Sequence, residues 1–230
     1  FYLKNNKIDL ARKYFIKANN KNSKLILNNY VSKSLYNWSN LTNQIQAESD
    51  LKNIDDRFSN LKKIQNAFLN CYFNNSNTDK FFTEILSNKS TDFSRYNYFH
   101  ASYYASNGKI ADAKKIIKSA LELYPRNLLL NQYKQDLDKG KNILLFNCRK
   151  EEHVAAEILY ITANALSSQS IYSLSNFYLN LSKYLNDEFI SYDTLMAENF
   201  FNVKNFKKAK KIYNNLSKNG EAFHWYSSKQ

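Results

Sequence analysis

The chain is poor in residues that turn a backbone sharply, with 3 glycines and 1 proline in 230 residues. Sheet hairpins draw on glycine, proline and Asn-Gly pairs at fixed positions, so this shortage argues against a strand-rich fold and suits helices joined by short links. Cysteine is scarce too: only Cys71 and Cys148 are present. Far apart, with no ligand spacing, they give neither a metal motif nor a disulfide framework, and their apolar surroundings are those of buried free thiols. They leave the redox compartment open. The 3 histidines, His100, His153 and His224, have no His or Cys three or four residues away, which argues against zinc. No apolar run approaches the length of a membrane span. Phosphate-loop and nucleophile-elbow patterns are missing, since Gly108-Lys109 and Gly140-Lys141 lack an upstream glycine and no G-x-S-x-G occurs. Glu151-Glu152-His153 reads as a charged loop, and no residue set argues for catalysis or for a cofactor.

Aromatics and lysines are abundant. Aromatic residues make up 16%, with 18 Tyr and 16 Phe, enough to pack helix interfaces with large rings. The net charge is +13. That balance fits an acidic partner such as nucleic acid or an anionic membrane, or a composition rich in Lys and Asn throughout. The lysines are not gathered in one tail, which favours the second reading.

The chain is organised around residues 94–127. Tyr98, Ala101 and Tyr104 share one helix face, and Gly108 follows where a helix end tolerates positive φ. Ala113, Ile116, Ile117, Ala120, Leu121 and Leu123 form a second apolar face, and Pro125 ends it. Two helices with small residues where they approach make a helical hairpin. Counting Ser94 as position 1, Ala101 falls at 8, Tyr104 at 11, Gly108 at 15, Ala113 at 20, Ala120 at 27 and Pro125 at 32. This resembles a tetratricopeptide repeat (TPR), whose period is 34 residues. Asn97 and His100 depart from the usual tryptophan and leucine, and His100 reads as a packed core histidine.

The frame recurs. In 190–223, Ala197, Phe200, Ala209 and Tyr213 take positions 8, 11, 20 and 24, and in 156–189 Ala163, Leu166, Ser175 and Leu179 do so. Tyr2, Asn6, Ala11, Phe15 and Ala18 fit a partial unit, 1–23. Tyr72, Phe81 and Ile85 fit a weak one, 62–93, and 24–61 is degenerate. Segment 128–155 is irregular: a helix over 128–137, a break at Lys139-Gly140-Lys141 and the apolar run Ile143 to Phe146. Further helices are expected over 25–39, 59–74, 79–88, 153–168, 170–186, 188–203 and 206–219, with 40–50 ambiguous. Phe1 falls within a repeat's first helix, and 221–230 resembles the start of another, so a fragment of a longer array is expected. The runs 156–187 and 128–141 also resemble those of multi-repeat TPR proteins of alphaproteobacteria, some of which carry export signals; this leans towards the cell envelope.

The resemblance implies an all-α fold, a right-handed α-solenoid of antiparallel helical hairpins whose first helices line a concave groove. Family groove positions map to Asn66, Asn70, Phe73 and Asn74; to Arg95, Tyr98 and Ser102; to Tyr160 and Asn164; and to Glu198, Phe201 and Asn202. Asn can donate to and accept from an extended peptide backbone, and Tyr and Phe offer rigid contact area. A non-catalytic scaffold that holds a protein or peptide partner is therefore expected. The lysine-rich carboxylate clamp of chaperone-binding TPR domains is not matched. On the second helices, Arg12-Lys13, Lys114-Lys115 and Lys210-Lys211 make outward basic pairs, joined by Lys17, Lys118, Lys207 and Lys208. A solubilising outer face explains them, and docking to an anionic membrane or, less favoured, to nucleic acid is the alternative.

Overall fold

The computed structural model describes residues 1–20, 26–87, 93–141 and 143–230. The expected limits at Leu25 and Asn88, residue 142 of the irregular segment, and the end of the first partial unit lie outside them. Thirteen α-helices are formed among the described residues: α1 Ile8–Asn20, α2 Ile26–Trp38, α3 Gln44–Lys52, α4 Ser59–Tyr72, α5 Thr78–Leu86, α6 Tyr96–Ser106, α7 Ile110–Leu123, α8 Leu128–Asp138, α9 Glu151–Ser168, α10 Tyr172–Leu185, α11 Ser191–Asn202, α12 Phe206–Leu216 and α13 Glu221–Ser228. No strand occurs among them, so the fold is all-helical. The ambiguous stretch resolves as α3, whose start is capped by the Asn43 side chain accepting from the Gln46 N–H at 2.9 Å.

One backbone device joins the helices of the hairpins. Gly108 ends α6 with φ +77°, and Asn6, Asn74, Ser170 and Lys204 adopt φ of +53°, +55°, +61° and +59°. At each, two hydrogen bonds close the preceding helical turn. The Lys109 N–H donates to the Tyr104 carbonyl at 3.0 Å and the Gly108 N–H to Ala105 at 3.1 Å. The Ile171 and Ser170 N–H groups donate to Leu166 and Ser167 at 2.9 and 2.8 Å, and those of Asn205 and Lys204 to Phe200 and Phe201 at 2.8 Å. This is the Schellman closure, which satisfies carbonyls a helix end leaves orphaned. Asn6, Gly108, Ser170 and Lys204 all take position 15 of the 34-residue frame. In the weak unit the left-handed residue is Asn74, two places before position 15 of a frame begun at Lys62. Asn tolerates this conformation better than the Ser76 that the pattern would put there.

Small residues flank the closure. Ala67, Ala101, Ala163 and Ala197 each stand seven residues before the left-handed residue, and all four are fully buried. Ala11, Ala113, Ser175 and Ala209 stand five residues after it, also buried. In the α9–α10 hairpin two of these places meet. Ser175 occupies its place by donating its hydroxyl to the Ala163 carbonyl at 2.8 Å.

The chain forms two compact units, Phe1–Phe81 with Asn147–Asp187, and Phe82–Phe146 with Glu188–Gln230. In the first, α9 and α10 pair as a hairpin, and α2 packs on α1, α3 and α9. A polar cluster lies inside it: the Trp38 Nε1–H donates to Gln65 Oε1 at 3.2 Å, and Gln65 Nε2 donates to Ser34 Oγ at 2.8 Å and to Tyr30 OH at 3.2 Å. All four are fully buried, so these bonds offset the cost of removing them from water. Cys71 and Cys148 are joined by a disulfide, which corrects the free-thiol expectation. The end of α4 and the lead-in to α9 meet there, and two further bonds reinforce the junction. Tyr72 OH donates to Glu151 at 2.5 Å, and Arg149 NH2 donates to Asn74 Oδ1 at 2.8 Å.

In the second unit, hairpin α6–α7 is followed by α8, and hairpin α11–α12 by α13. The two trailing helices pack together: Lys139 pairs with Glu221 at 2.6 Å, and Gln132 Oε1 accepts from the Ala222 N–H at 3.2 Å. Stacking hairpins strictly in chain order does not bring α8 to α13. Gly220 enters α13 at φ +121°, where a Cβ would collide with the Gln132 amide. The core of this unit is aromatic. Tyr98 lies 4.8 Å from Tyr133 and 5.6 Å from Phe189, and Phe99 lies 4.5 Å from Phe146. The apolar run before residue 147 is drawn in by Phe146 and by the Leu145 N–H, which donates to Tyr98 OH at 3.1 Å.

Candidate interaction surfaces

The expected groove residues divide between the units. In the first, Asn70 is buried: its amide donates to the Asn66 carbonyl at 2.9 Å, and its oxygen accepts from Gln44 at 3.2 Å. Asn66 and Phe73 are half-buried, and Asn74 is exposed but bonded to Arg149. Tyr160 is half-buried and Asn164 exposed on α9, more than two helical turns beyond the α4 junction. In the second unit, Tyr98 and Ser102 are buried in the aromatic core. Asn70, Tyr98 and Ser102 therefore present no surface to a partner in this conformation. Arg95 is half-buried, its guanidinium 4.4 Å from the Phe189 ring centre. Glu198, Phe201 and Asn202 are exposed, and Glu198 accepts from Tyr226 OH at 2.5 Å.

Phe201 stands at a pocket of about 380 Å³ in the second unit, with Phe206, Tyr213, Asn214 and Lys210 also in its wall. The end of α11 supplies Phe201, α12 supplies Phe206, Lys210, Tyr213 and Asn214, and the chain end supplies Ser227 and Gln230. Aromatic rings there stand beside an ammonium and an amide. Such a pocket can hold an apolar side chain and satisfy a polar group at its edge.

The basic pairs are uneven. Arg12 is half-buried: its Nε donates to the Ser39 carbonyl at 3.1 Å, and NH1 reaches Asp9 at 3.5 Å, so it ties α1 to the end of α2. Lys13 is exposed. On α7, Lys115 is exposed and Lys114 pairs with Asp138 at 3.4 Å. On α12, Lys207, Lys208, Lys210 and Lys211 are all exposed, Lys208 lying 5.1 Å from the Phe200 ring centre.

The histidines have structural settings where the packing is closest. His100 is buried, stacked on Phe82 at 5.3 Å, as a core histidine. His153 Nδ1 accepts from the Asn147 N–H at 3.1 Å, and burial, helped by Lys150 and Lys4, lowers its pKa to about 4. Among the described residues, no group of three His, Cys, Asp or Glu could hold a metal ion, and no helix is long and apolar enough to cross a membrane.

One surface escaped the sequence reading. Leu174, Phe177, Leu181 and Tyr184 on α10 are all exposed. Their spacing is helical and visible in the sequence, but an apolar helical face is ordinarily a core face, and nothing local marks it as turned outward. No protein-family model and no curated protein matches this chain.

Proposed function

We propose that the protein is a non-catalytic scaffold, built of TPR-like helical hairpins, that holds a protein or peptide partner. The observation that carries the reading is the exposed end of α11, where Phe201 lines the pocket of about 380 Å³ and the next residue, Asn202, is exposed. Phe201 falls at a family groove position, and its ring with Phe206 offers rigid apolar area while Lys210 and Asn214 supply polar partners. The recurrence of the left-handed closure at position 15, with buried small residues on either side, supports the repeat reading. The test is a pulldown from source-cell lysate with wild type and Phe201→Ala/Asn202→Ala, at low and high salt. A discrete protein retained at high salt and lost with the variant supports the pocket.

A second reading has its own observation: the four exposed lysines of α12. They favour docking to an anionic membrane surface, a contact that weakens steeply with salt. If only lipid is captured, and only at low salt, this reading replaces the first.

A further inference from the structure

We infer that the outer face of α10 is a second docking surface, for an amphipathic helix of a protein partner carrying acidic residues beside its apolar stripe. The chain itself shows how unusual this face is. Counted from the left-handed residue, positions four, seven, eleven and fourteen along hold Asp112, Lys115, Ser119 and Glu122 in the α7 segment, all exposed. The α12 segment has Lys208, Lys211, Asn215 and Lys218 there, also exposed. A polar outer face is what a solvated second helix requires. In the α10 segment the same places hold Leu174, Phe177, Leu181 and Tyr184, exposed by 44, 55, 37 and 44%.

Three features select the occupant. First, the spacing of three, four and three is that of coiled-coil a and d positions, which seat the side chains of a facing helix. Polar Ser173 and Asn180 are exposed along one side of the stripe, and half-buried Tyr178 and Leu185 lie along the other; a helix that lies on lipid needs a broader exposed apolar face. Second, Leu181 and Tyr184 run into a pocket of about 210 Å³ whose other walls include Tyr2, Tyr14 and Phe15. A recess at one end of a stripe accepts one bulky anchoring side chain, as in helix-in-groove recognition. Third, the rim is basic. The Lys4 ammonium lies 5.4 Å from the Tyr184 ring centre and the Lys17 ammonium 5.5 Å from that of Tyr14. Asp187 lies 3.6 Å from Lys4 and offsets part of that charge. With the chain at +13, a second copy would bring like charge to this rim, whereas acidic flanks on a partner complement it.

The test uses the whole chain and a fluorescein-labelled synthetic helix of about 18 residues, with Leu at a and d, one Trp at the terminal d and Glu beside them. A matched peptide carries Lys in place of Glu. The variant Phe177→Lys/Leu181→Asn adopts the residues that α12 bears at the same places, and circular dichroism checks its fold. Binding of the Glu peptide to wild type, weakened by about tenfold or more both in the variant and with the Lys peptide, is expected. No binding at about 200 µM, or equal binding by the folded variant, overturns the proposal. So does either competing occupant: stripe-dependent sedimentation with phosphatidylcholine–phosphatidylserine vesicles without peptide binding, or a wild-type dimer that the variant dissolves. Phe201→Ala/Asn202→Ala should leave peptide binding unchanged, which separates this surface from the α11 pocket.

Discussion

Ser170 and Lys204 hold a left-handed backbone that glycine adopts freely and L-residues resist by about 1 kcal/mol or more. Ser170→Gly and Lys204→Gly are therefore expected to stabilise the protein by about 0.5 kcal/mol each, part of the relief being lost to the freer unfolded chain. Gly220→Ala should act oppositely, costing about 1–2 kcal/mol, because it adds strain at φ +121° and displaces the Gln132 amide that accepts from Ala222. Denaturant midpoints read all three. His153 gives a pH signature. Its pKa is about 4 in the fold against 6.5 in a free chain, so between those values the unfolded state binds more protons. Stability should fall as pH drops from 6.5 towards 4, and His153→Gln, which keeps an acceptor for the Asn147 N–H, should flatten that slope.

At the scale of elements, most helices were legible from spacing. Gly108 and Pro125 punctuate α6 and α7, and Gly140 closes α8, because few other residues meet those backbone demands. The breaks beside Ser170 and Lys204 were legible from spacing, but their left-handed backbone was not, since neither residue type signals positive φ. Of the expected groove, Asn74, Asn164, Glu198, Phe201 and Asn202 are exposed, while Asn70, Tyr98 and Ser102 are interior. The family frame gives a residue's helix face but not what packs on it: the Leu145 N–H reaches Tyr98, and Gln44 reaches Asn70. The disulfide was hidden for the same reason: its cysteines are 77 residues apart, and only the fold brings α4 to the start of α9. Cys71→Ser/Cys148→Ser should cost about 2–4 kcal/mol, read as a lowered midpoint that reductant no longer shifts.

At the scale of the whole molecule, each compact unit draws on two separate stretches of chain. The packing of α2 on α9 and of α8 on α13 joins helices far apart in sequence, which local periodicity does not encode. The exposed apolar and basic faces then become the chemistry available to partners. The scaffold reading is tested most directly by the salt-controlled pulldown with the Phe201→Ala/Asn202→Ala variant. A discrete protein that survives high salt with wild type and disappears with the folded variant is the predicted result. Equal capture by both proteins, or recovery of lipid or nucleic acid alone and only at low salt, would contradict it.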